Sequence, residues 1–360
     1  MPKSISLGAW LCLARRLLAA CLVLAVLATV PASAAGKLTI SNWDGYMPDD
    51  LLDRFKQATG IEAELTLQST NEEIVERVTA AGGKGYDVIF IAAPFAQVLK
   101  QKELLAELDH QKLPNLKNLY PEASRLKHDP GNRFSIPYAW GTTGLCYRAD
   151  QLKDPPTSWN DLLKPKPELA RKITLLSDAR WRFAAALKAE GFSVNETAAD
   201  RIKAAAKRLG EAREWVLAYD DAAAYSALVS GDVLLAHAWD SYCNFGTAKN
   251  PAIKYALPKE GTDLWVDVVV ISQASENKDA AHAFLNFLLE PHIAEWLAKE
   301  LMYKSPNQAG MARVDKHWLE KFPNLSLSPQ TLLKQEQMLD IGEDARKDYE
   351  RALADVMKAK

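Results

Sequence analysis

The sequence predicts an α/β fold made of two α/β units, and three observations lead to this class. Strand-like and helix-like segments alternate over residues 37–105, which is typical of a parallel sheet covered by helices. The same alternation restarts at Ile173. The 360 residues suffice for two medium domains and contain no Gly/Ser-rich linker, so we expect the chain to cross between the units more than once.

Three strands and three helices alternate in the first unit. Gly60 and the pair Gly82-Gly83 end the first two helices. The third strand is a continuous apolar run, as expected for a strand buried on both faces. The predicted elements are strand Lys37–Trp43, helix Asp49–Thr59, strand Ile61–Leu67, helix Glu72–Ala81, strand Tyr86–Ile91 and helix Phe95–Leu105.

The second unit repeats this pattern with short buried strands. Open α/β sheets bind ligands beyond the carboxyl ends of their strands, so we expect the functional residues there. The predicted elements are strand Ile173–Leu176, helices Trp181–Ala189 and Thr197–Val216, strands Val233–Ala238 and Trp265–Ile271, and helices Lys278–Leu289 and His292–Glu300.

The N-terminus has the three parts of a secretory signal. Met1–Arg16 carries three basic residues and no acid, and Leu17–Val30 is an apolar run of 14 residues. A membrane span needs about 20 such residues, so this run is too short to be one. A small-residue cleavage site, Ala32-Ser33-Ala34, follows, and we predict export with cleavage after Ala34. Lipidation at Cys21 is the alternative, but Cys21 precedes most of the apolar run.

Composition and charge narrow the function classes. The chain carries 44 basic and 46 acidic residues, and removal of the signal leaves 41 and 46, so the exported protein is mildly acidic. A non-specific nucleic-acid binder normally shows a basic excess, so that class is excluded. Cys146 and Cys243 remain after cleavage, and in an oxidising compartment a disulfide between them and two buried thiols are the alternatives.

No motif for catalysis or cofactor binding occurs in the sequence. The six histidines show no metal-ligand spacing, and a zinc motif, a G-x-S-x-G elbow, a P-loop and a G-x-G-x-x-G are all missing. We therefore expect a binding protein without enzyme activity, bound metal or cofactor.

Aromatic and acidic residues coincide at four predicted strands. A carboxylate accepts charge-assisted hydrogen bonds from an ammonium group, and an indole face adds about 0.5–2 kcal/mol of cation–π attraction. Aromatic walls also bury methylene groups, at about 0.8 kcal/mol each. This combination predicts a pocket for an elongated alkyl amine. The candidate residues are Trp43, Asp44, Tyr46, Asp178, Trp181, Trp239, Asp240, Tyr242, Trp265 and Asp267.

Structural roles are the alternatives for these residues. Each tryptophan is equally suited to a hydrophobic core. Asp44 precedes Gly45 and fits a turn, while Asp178 and Asp240 fit helix caps. Asp267 is the firmest candidate, because a carboxylate inside the apolar run WVDVVVI is costly to bury without a partner.

From Leu38 to the C-terminus the sequence resembles the periplasmic spermidine/putrescine-binding proteins of bacterial ABC importers. The resemblance is carried by ISNWDGYMPDDLLDRFKQATGI, GYDVIF, FSIPYAWGTTGL, LLSDAR, the Trp239 segment, YALPKEGTDLWVDVVVI and KDAAHAFLNFLLEPHIAEW. It implies a two-lobed α/β fold of the extracellular solute-binding type II class, whose lobes close over a ligand at a multi-strand hinge. After a signal peptide at 1–34, one lobe would hold 35–143 and 269–312, and the other 144–268 and 313–360.

The resemblance also implies a location and partners. We expect a periplasmic, monomeric binding protein that takes a polyamine or related cation to the permease subunits of an ABC importer, with no nucleic-acid partner. The alternatives are a sensor on the same fold, an enzyme, or a binder of another solute such as iron or an anion. Arg180 is the one strand-end arginine near the candidates and would serve an anionic or zwitterionic ligand.

The resemblance assigns cleft roles unevenly. Trp43, Tyr46, Asp178, Trp239, Trp265 and Asp267 match family positions that contact the ligand, while Asp44 takes a position of a small hydroxyl residue. Elsewhere the chain departs from the family pattern, so we expect an organic cation in an altered pose, such as a shorter diamine, a monoamine, a more apolar amine or a guanidino compound. The departures are Trp181 for glutamate, Tyr242 for aspartate, Met338 for glutamine, and Ala92, Ala93, Pro94 and Phe95 where the family has serine and aromatic ligands; Phe95 is the candidate in that segment.

Overall fold

The computed structural model describes residues 37–221 and 223–358, so the predicted signal lies outside the described residues. The strands are β1 (Leu38–Trp43), β2 (Ala63–Gln68), β3 (Val88–Ala92), β4 (Ser135–Arg148), β5 (Ile173–Leu175), β6 (Val216–Tyr219), β7 (Leu235–Trp239), β8 (Ile253–Ala256), β9 (Asp263–Ile271) and β10 (Glu336–Gln337).

Helices cover both parts of the sheet. They are α1 (Leu51–Thr59), α2 (Asn71–Ala80), α3 (Ala93–Gln101), α4 (Trp159–Leu163), α5 (Ala179–Ala189), α6 (Ala199–Ala212), α7 (Ala224–Ser230), α8 (Asp240–Lys249), α9 (Lys278–Leu288), α10 (Pro291–Glu300), α11 (Gln308–Met311), α12 (Lys316–Lys321), α13 (Pro329–Leu332) and α14 (Glu343–Lys358). Short 3₁₀ turns lie at His110–Lys112, Pro114–Asn118, Pro121–Arg125, Pro167–Leu169, Arg213–Trp215 and Pro323–Ser326.

One mixed sheet runs in the order β2-β1-β3-β9-β4-β7-β5-β6, with β10 beside β9 and β8 beside β4. Both flanks are parallel: β1 pairs with β2 and β3, and β5 pairs with β6 and β7. In the centre β9 is antiparallel to β3 and β4, and β4 is antiparallel to β7. The prediction of a parallel sheet is therefore right for the flanks and wrong for the centre, because no crossover helix of a βαβ unit leads directly into β4 or β9.

Strand β4 is shared by the two halves of the sheet. It has 14 residues, all buried. Its part from Ser135 to Thr142 pairs with β9, and its part from Thr143 to Tyr147 pairs with β7. The sequence analysis assigned no strand here, because a proline and two glycines interrupt the apolar pattern of SIPYAWGTTGLCYR.

Two separate hydrophobic cores give the protein its two-lobed fold. The first contains fully buried side chains of β1, β3, β9, α1 and α9, among them Phe55, Phe90 and Phe284. The second contains side chains of β5, β7, α4, α5, α6 and α14, including Trp159 and Phe183. Helix α5 contributes to both cores, with Trp181 and Ala184 in the first and Phe183 and Leu187 in the second, so the two cores share this helix.

Two predicted helices differ from the observed ones for identifiable reasons. Helix α3 begins at Ala93, ahead of the predicted Phe95, because Pro94 fits the first turn of a helix. Helix α6 ends at Ala212, and Val216–Tyr219 forms the edge strand β6 where the predicted helix was still ending. Among the described residues, no helix combines the length and the apolar character that a membrane crossing requires.

Cys146 and Cys243 form a disulfide. Cys146 of β4 and Cys243 of α8 are fully buried, with their Cα atoms 5.6 Å apart. Of the two alternatives left by the sequence, the structure has the disulfide.

We expect loss of this disulfide to lower stability. The link joins residues 97 positions apart, so replacing both cysteines with alanine should lower the free energy of unfolding by about 4 kcal/mol by freeing the unfolded chain. Urea denaturation of the oxidised protein and of the variant measures the difference. The wild-type protein in a strong reductant is the control and should approach the variant; equal stability of all three would contradict the prediction.

Candidate functional site

A cavity of about 480 Å³ lies where several strands end. The parallel strands β1, β2, β3 and β7 contribute residues at or just after their carboxyl ends, as expected for an open α/β sheet. Strand β9 contributes two residues from its interior. The walls are formed by Trp43, Asp44, Tyr46, Leu67, Gln68, Ser69, Thr70, Asn71, Ala92, Asp178, Trp181, Asp221, Trp239, Tyr242, Trp265, Asp267 and Tyr303.

Most of the predicted residues meet in this cavity, but Phe95 and Asp240 do not line it. Phe95 lies on α3 and packs against the first core. Asp240 starts α8, is 3% exposed, and accepts a hydrogen bond of 3.2 Å from the Thr142 backbone N–H. Its carboxylate lies beside Gly141 and Trp265, since a Cβ atom on Gly141 would be 2.6 Å from Asp240 Oδ2 and 2.4 Å from Trp265 Cζ2. Asp240 therefore packs against strand β4 instead of facing the cavity.

Asp267 lies between small neighbours on strand β9. It pairs with Ala92 of β3 and Ala139 of β4, which leave room beside its carboxylate. Tyr46 donates a hydrogen bond of 2.6 Å to Asp267 Oδ2. Burial raises the pKa of Asp267 to about 6, and the Tyr46 hydroxyl works in the opposite direction. No ion pair among the described residues compensates this charge.

A second group of acids lies at the carboxyl end of β5 and β6. Asp178 caps α5 through a 2.8 Å hydrogen bond from the Arg180 backbone N–H, so the cap interpretation holds while the residue also lines the cavity. Asp221 accepts hydrogen bonds from the backbone N–H and the hydroxyl of Ser177. Burial raises the pKa of Asp178 to about 7, and the charges of Glu72 and Asp221 act in the same direction.

Seven aromatic rings form the walls in two contiguous groups. Near Asp267, the ring centroid of Tyr46 lies 5.3 Å from that of Trp43 and 5.5 Å from that of Tyr303. The ring centroids of Trp265 and Tyr303 are 5.0 Å apart. The second group, near Asp178, consists of Trp181, Trp239 and Tyr242, with Trp239 5.6 Å from Trp181 and 5.8 Å from Tyr242. Trp181 and Trp265 are 5% and 4% exposed, so they serve the core and the wall together.

Among the described residues, no basic side chain lines the cavity. Arg180, the candidate for an anionic ligand, directs its guanidinium to Val194 O at 2.5 Å and Asn195 Oδ1 at 2.9 Å, and lies 5.3 Å from the ring of Tyr349. It is therefore committed to packing between α5 and its neighbours. The cavity has four aspartates and no lysine, arginine or histidine. Within residues 37–221 and 223–358, no group of three or more potential ligands could hold a metal ion.

Several lining residues were not predicted from the sequence. Leu67 and Gln68 end β2 and Ser69–Asn71 follow it, so the strand-end rule could have found them. Asp221 follows β6, where the predicted helix ended at Val216 and no strand was predicted. Tyr303 lies in an irregular segment after α10 and carries no local signal. The turn interpretation of Asp44 is also correct, since Gly45 has φ of 67°, yet Asp44 lines the cavity.

Known proteins resemble this chain along most of its length. The spermidine/putrescine-binding periplasmic protein 1 of Haemophilus influenzae is 32% identical over 336 residues, which cover 92% of each chain. The putrescine-binding periplasmic protein PotF of Escherichia coli is 32% identical over 290 residues, or 76% of this chain and 78% of PotF. The solved structure of the spermidine/putrescine ABC transporter substrate-binding protein PotD of Streptococcus pneumoniae matches with a TM-score of 0.77 and 27% identity, covering 89% of this chain and 98% of that one.

Residues 50–320 match the family described as bacterial extracellular solute-binding protein. The two-lobed fold, the cavity at the strand ends and these similarities agree with one another, and the chain belongs to the bacterial extracellular solute-binding protein family.

Proposed function

We propose that this protein binds an elongated organic cation of the polyamine class in the cavity and delivers it to the permease of an ABC importer. One observation carries the proposal: four carboxylates and seven aromatic rings line the cavity, and no basic side chain does. A bound cation supplies the missing positive charge, and the aromatic faces hold its methylene groups and its ammonium groups. The chemistry of the walls is that of a binding site without a catalytic step.

The positions of the acids suit a long ligand. Asp267 lies on β9, and Asp178 follows β5, three strands away in the sheet order. Three strand spacings amount to roughly 14 Å. Burial raises the pKa of Asp267 and the Tyr46 hydroxyl lowers it, while Asp178 does not contribute to the shift, which agrees with two separate anionic ends.

The proposed mechanism is closure of two lobes over the ligand. One lobe would contain 35–143 and 269–312, and the other 144–268 and 313–360. The exchange of partners of β4, from β9 at Thr142 to β7 at Thr143, supports a hinge at that point. Hinge closure around a ligand in the cleft is a common movement of such folds.

The relatives support a periplasmic transport role. Their names state binding of spermidine and putrescine in the periplasm, and we extend this to the present chain together with cleavage after Ala34, action as a monomer and docking on permease subunits. A thermal-melt panel tests the central step. Putrescine, cadaverine, spermidine or agmatine at 100 times its dissociation constant should stabilise the protein by about 2.7 kcal/mol. Absence of stabilisation by every amine would refute cation binding.

Neutralising Asp267 should weaken binding. Asp267→Asn is expected to cost about 2–5 kcal/mol of binding free energy, because a cation in the cavity loses a partly desolvated counter-charge. Isothermal titration calorimetry with putrescine and spermidine measures the loss. Asp53→Asn, which removes an exposed carboxylate on α1, is the matched control and should leave affinity unchanged. Equal affinities of Asp267→Asn and wild type would show that Asp267 is structural.

Binding should strengthen as pH rises from 5 to 8. Burial raises the pKa of Asp178 to about 7 and that of Asp267 to about 6, so both acids are largely protonated at pH 5 and must lose protons to hold a cation. Affinity should change by up to about tenfold per pH unit for each proton released.

The unliganded protein should show the opposite trend. From about pH 4 to pH 7 the folded protein retains protons on these acids that the unfolded chain has already lost, so their contribution to the free energy of unfolding falls as pH rises.

Calorimetry in two buffers of different ionisation enthalpy counts the protons released on binding. Asp178→Asn is the control and should remove the pH dependence of binding near pH 7. A wild-type affinity that stays constant from pH 5 to pH 8 would contradict the prediction.

A further inference from the structure

We propose that the end of the cavity formed by Asp178 and Asp221 binds a guanidinium group, and that the preferred ligand is therefore a guanidinoalkylamine with a primary ammonium at Asp267. This inference rests on the proposed function, because it takes the cavity to bind an elongated cation. It adds the chemical class of the two ends of the ligand and names Asp221 as the residue that selects one of them.

The two ends differ in their number of partly buried carboxylates. Asp267 is the one lining carboxylate on β9, with one oxygen already accepting the Tyr46 hydroxyl, while Asp44 lies in the exposed turn after β1. At the other end Asp178 and Asp221 both line the cavity, and the charge of Asp221 contributes to the raised pKa of Asp178. A primary ammonium brings three compact donors, whereas an alkylguanidinium brings five in a planar fork. The larger donor group therefore matches the end with two carboxylates.

Both carboxylates keep acceptor capacity for a ligand. Asp178 accepts one hydrogen bond at Oδ1, from the Arg180 N–H, and no described residue donates to its Oδ2. The two oxygens of Asp221 accept one hydrogen bond each, both from Ser177, and a carboxylate has about four acceptor sites. Two carboxylates that approach a guanidinium from different sides can each form a paired, charge-assisted contact with it.

Arg182 interacts electrostatically with Asp221 but does not bind its carboxylate. Its guanidinium donates a 2.9 Å hydrogen bond to the Ser177 carbonyl and lies 4.8 Å from the centroid of the Tyr219 ring. It forms no ion pair with Asp221 among the described residues. The remaining acceptor sites of Asp221 are therefore not taken by a described basic side chain.

The aromatic walls at this end suit a planar cation. Trp239 contacts both Trp181 and Tyr242 there, and the planes of Trp181 and Trp239 are inclined at 82°. A guanidinium is flat, weakly hydrated and stacks on aromatic faces, whereas an ammonium is a compact and strongly hydrated charge. Transfer from water to an aromatic surface therefore costs a guanidinium less desolvation free energy than it costs an ammonium.

The test compares two ligands of matched length. Agmatine and 1,6-diaminohexane have the same number of atoms between their ends and differ in one terminal group. Calorimetry on the mature protein should show agmatine binding at least about tenfold more tightly, since hydrogen bonds to charged groups contribute that much or more. Asp221→Asn should remove most of this preference and weaken agmatine more than the diamine.

Two further variants separate charge from structure. Ser177→Ala removes a donor to Asp221 but leaves both carboxylates, and it should retain the preference for agmatine. Asp44→Asn removes a different, exposed carboxylate of the cavity and should weaken both ligands by the same factor. Melting curves confirm that each variant folds.

The outcomes distinguish the inference from the proposed function. If the diamine binds as tightly as agmatine, or if Asp221→Asn weakens both ligands equally, the guanidinium assignment is wrong while cation binding stands. If neither ligand binds the folded wild-type protein while putrescine or spermidine does, the inference fails and cation binding stands; if none of these amines binds, the proposed function fails together with the inference.

Discussion

Pairing along the shared strand β4 is the constraint on which the rest of the structure depends. One continuous backbone pairs with β9 in the first half of the sheet and with β7 in the second. Its side chains are buried throughout, so a shift of register by one residue would turn apolar groups out of both cores. Gly141 lies opposite Trp265 in this pairing, and only the absence of a side chain there leaves space for the indole ring. The pairing of β4 with β9 therefore also positions Trp265, which lines the cavity.

The carboxylates of the cavity have no basic partner among the described residues that line it. Desolvation opposes the charged form of Asp178 and of Asp267, a local hydrogen bond favours the charged form of each, and the charge of Arg180 favours it at Asp178 as well. The folded protein therefore holds these groups at a cost in stability, which is common where a site must meet a ligand. A bound cation compensates the carboxylates and removes this cost. The free energy of binding therefore includes the stability that the protein regains as well as the new contacts.

Most of the site could be predicted from the sequence, because the rule that ligands bind at the carboxyl ends of strands depends on local sequence patterns. An aromatic residue and an acid directly after a buried strand must lie at one edge of the sheet, as Trp43, Asp178 and Trp239 do. Asp221 escaped detection because edge packing, and not local propensity, makes a strand of Val216–Tyr219. The side chain of Asp240 turns towards β4 for a similar reason: a tertiary hydrogen bond to Thr142 decides its direction, and no spacing in the sequence encodes that bond.

The disulfide lies close to the binding surface as well as in the fold. Cys243 is the chain neighbour of Tyr242, and helix α8, which carries both, begins directly after Trp239. The covalent link therefore holds two rings of the cavity wall against the strand that joins the lobes. In a reduced chain packing alone would hold that wall in place. Oxidation of the two cysteines therefore fixes part of the cavity wall covalently.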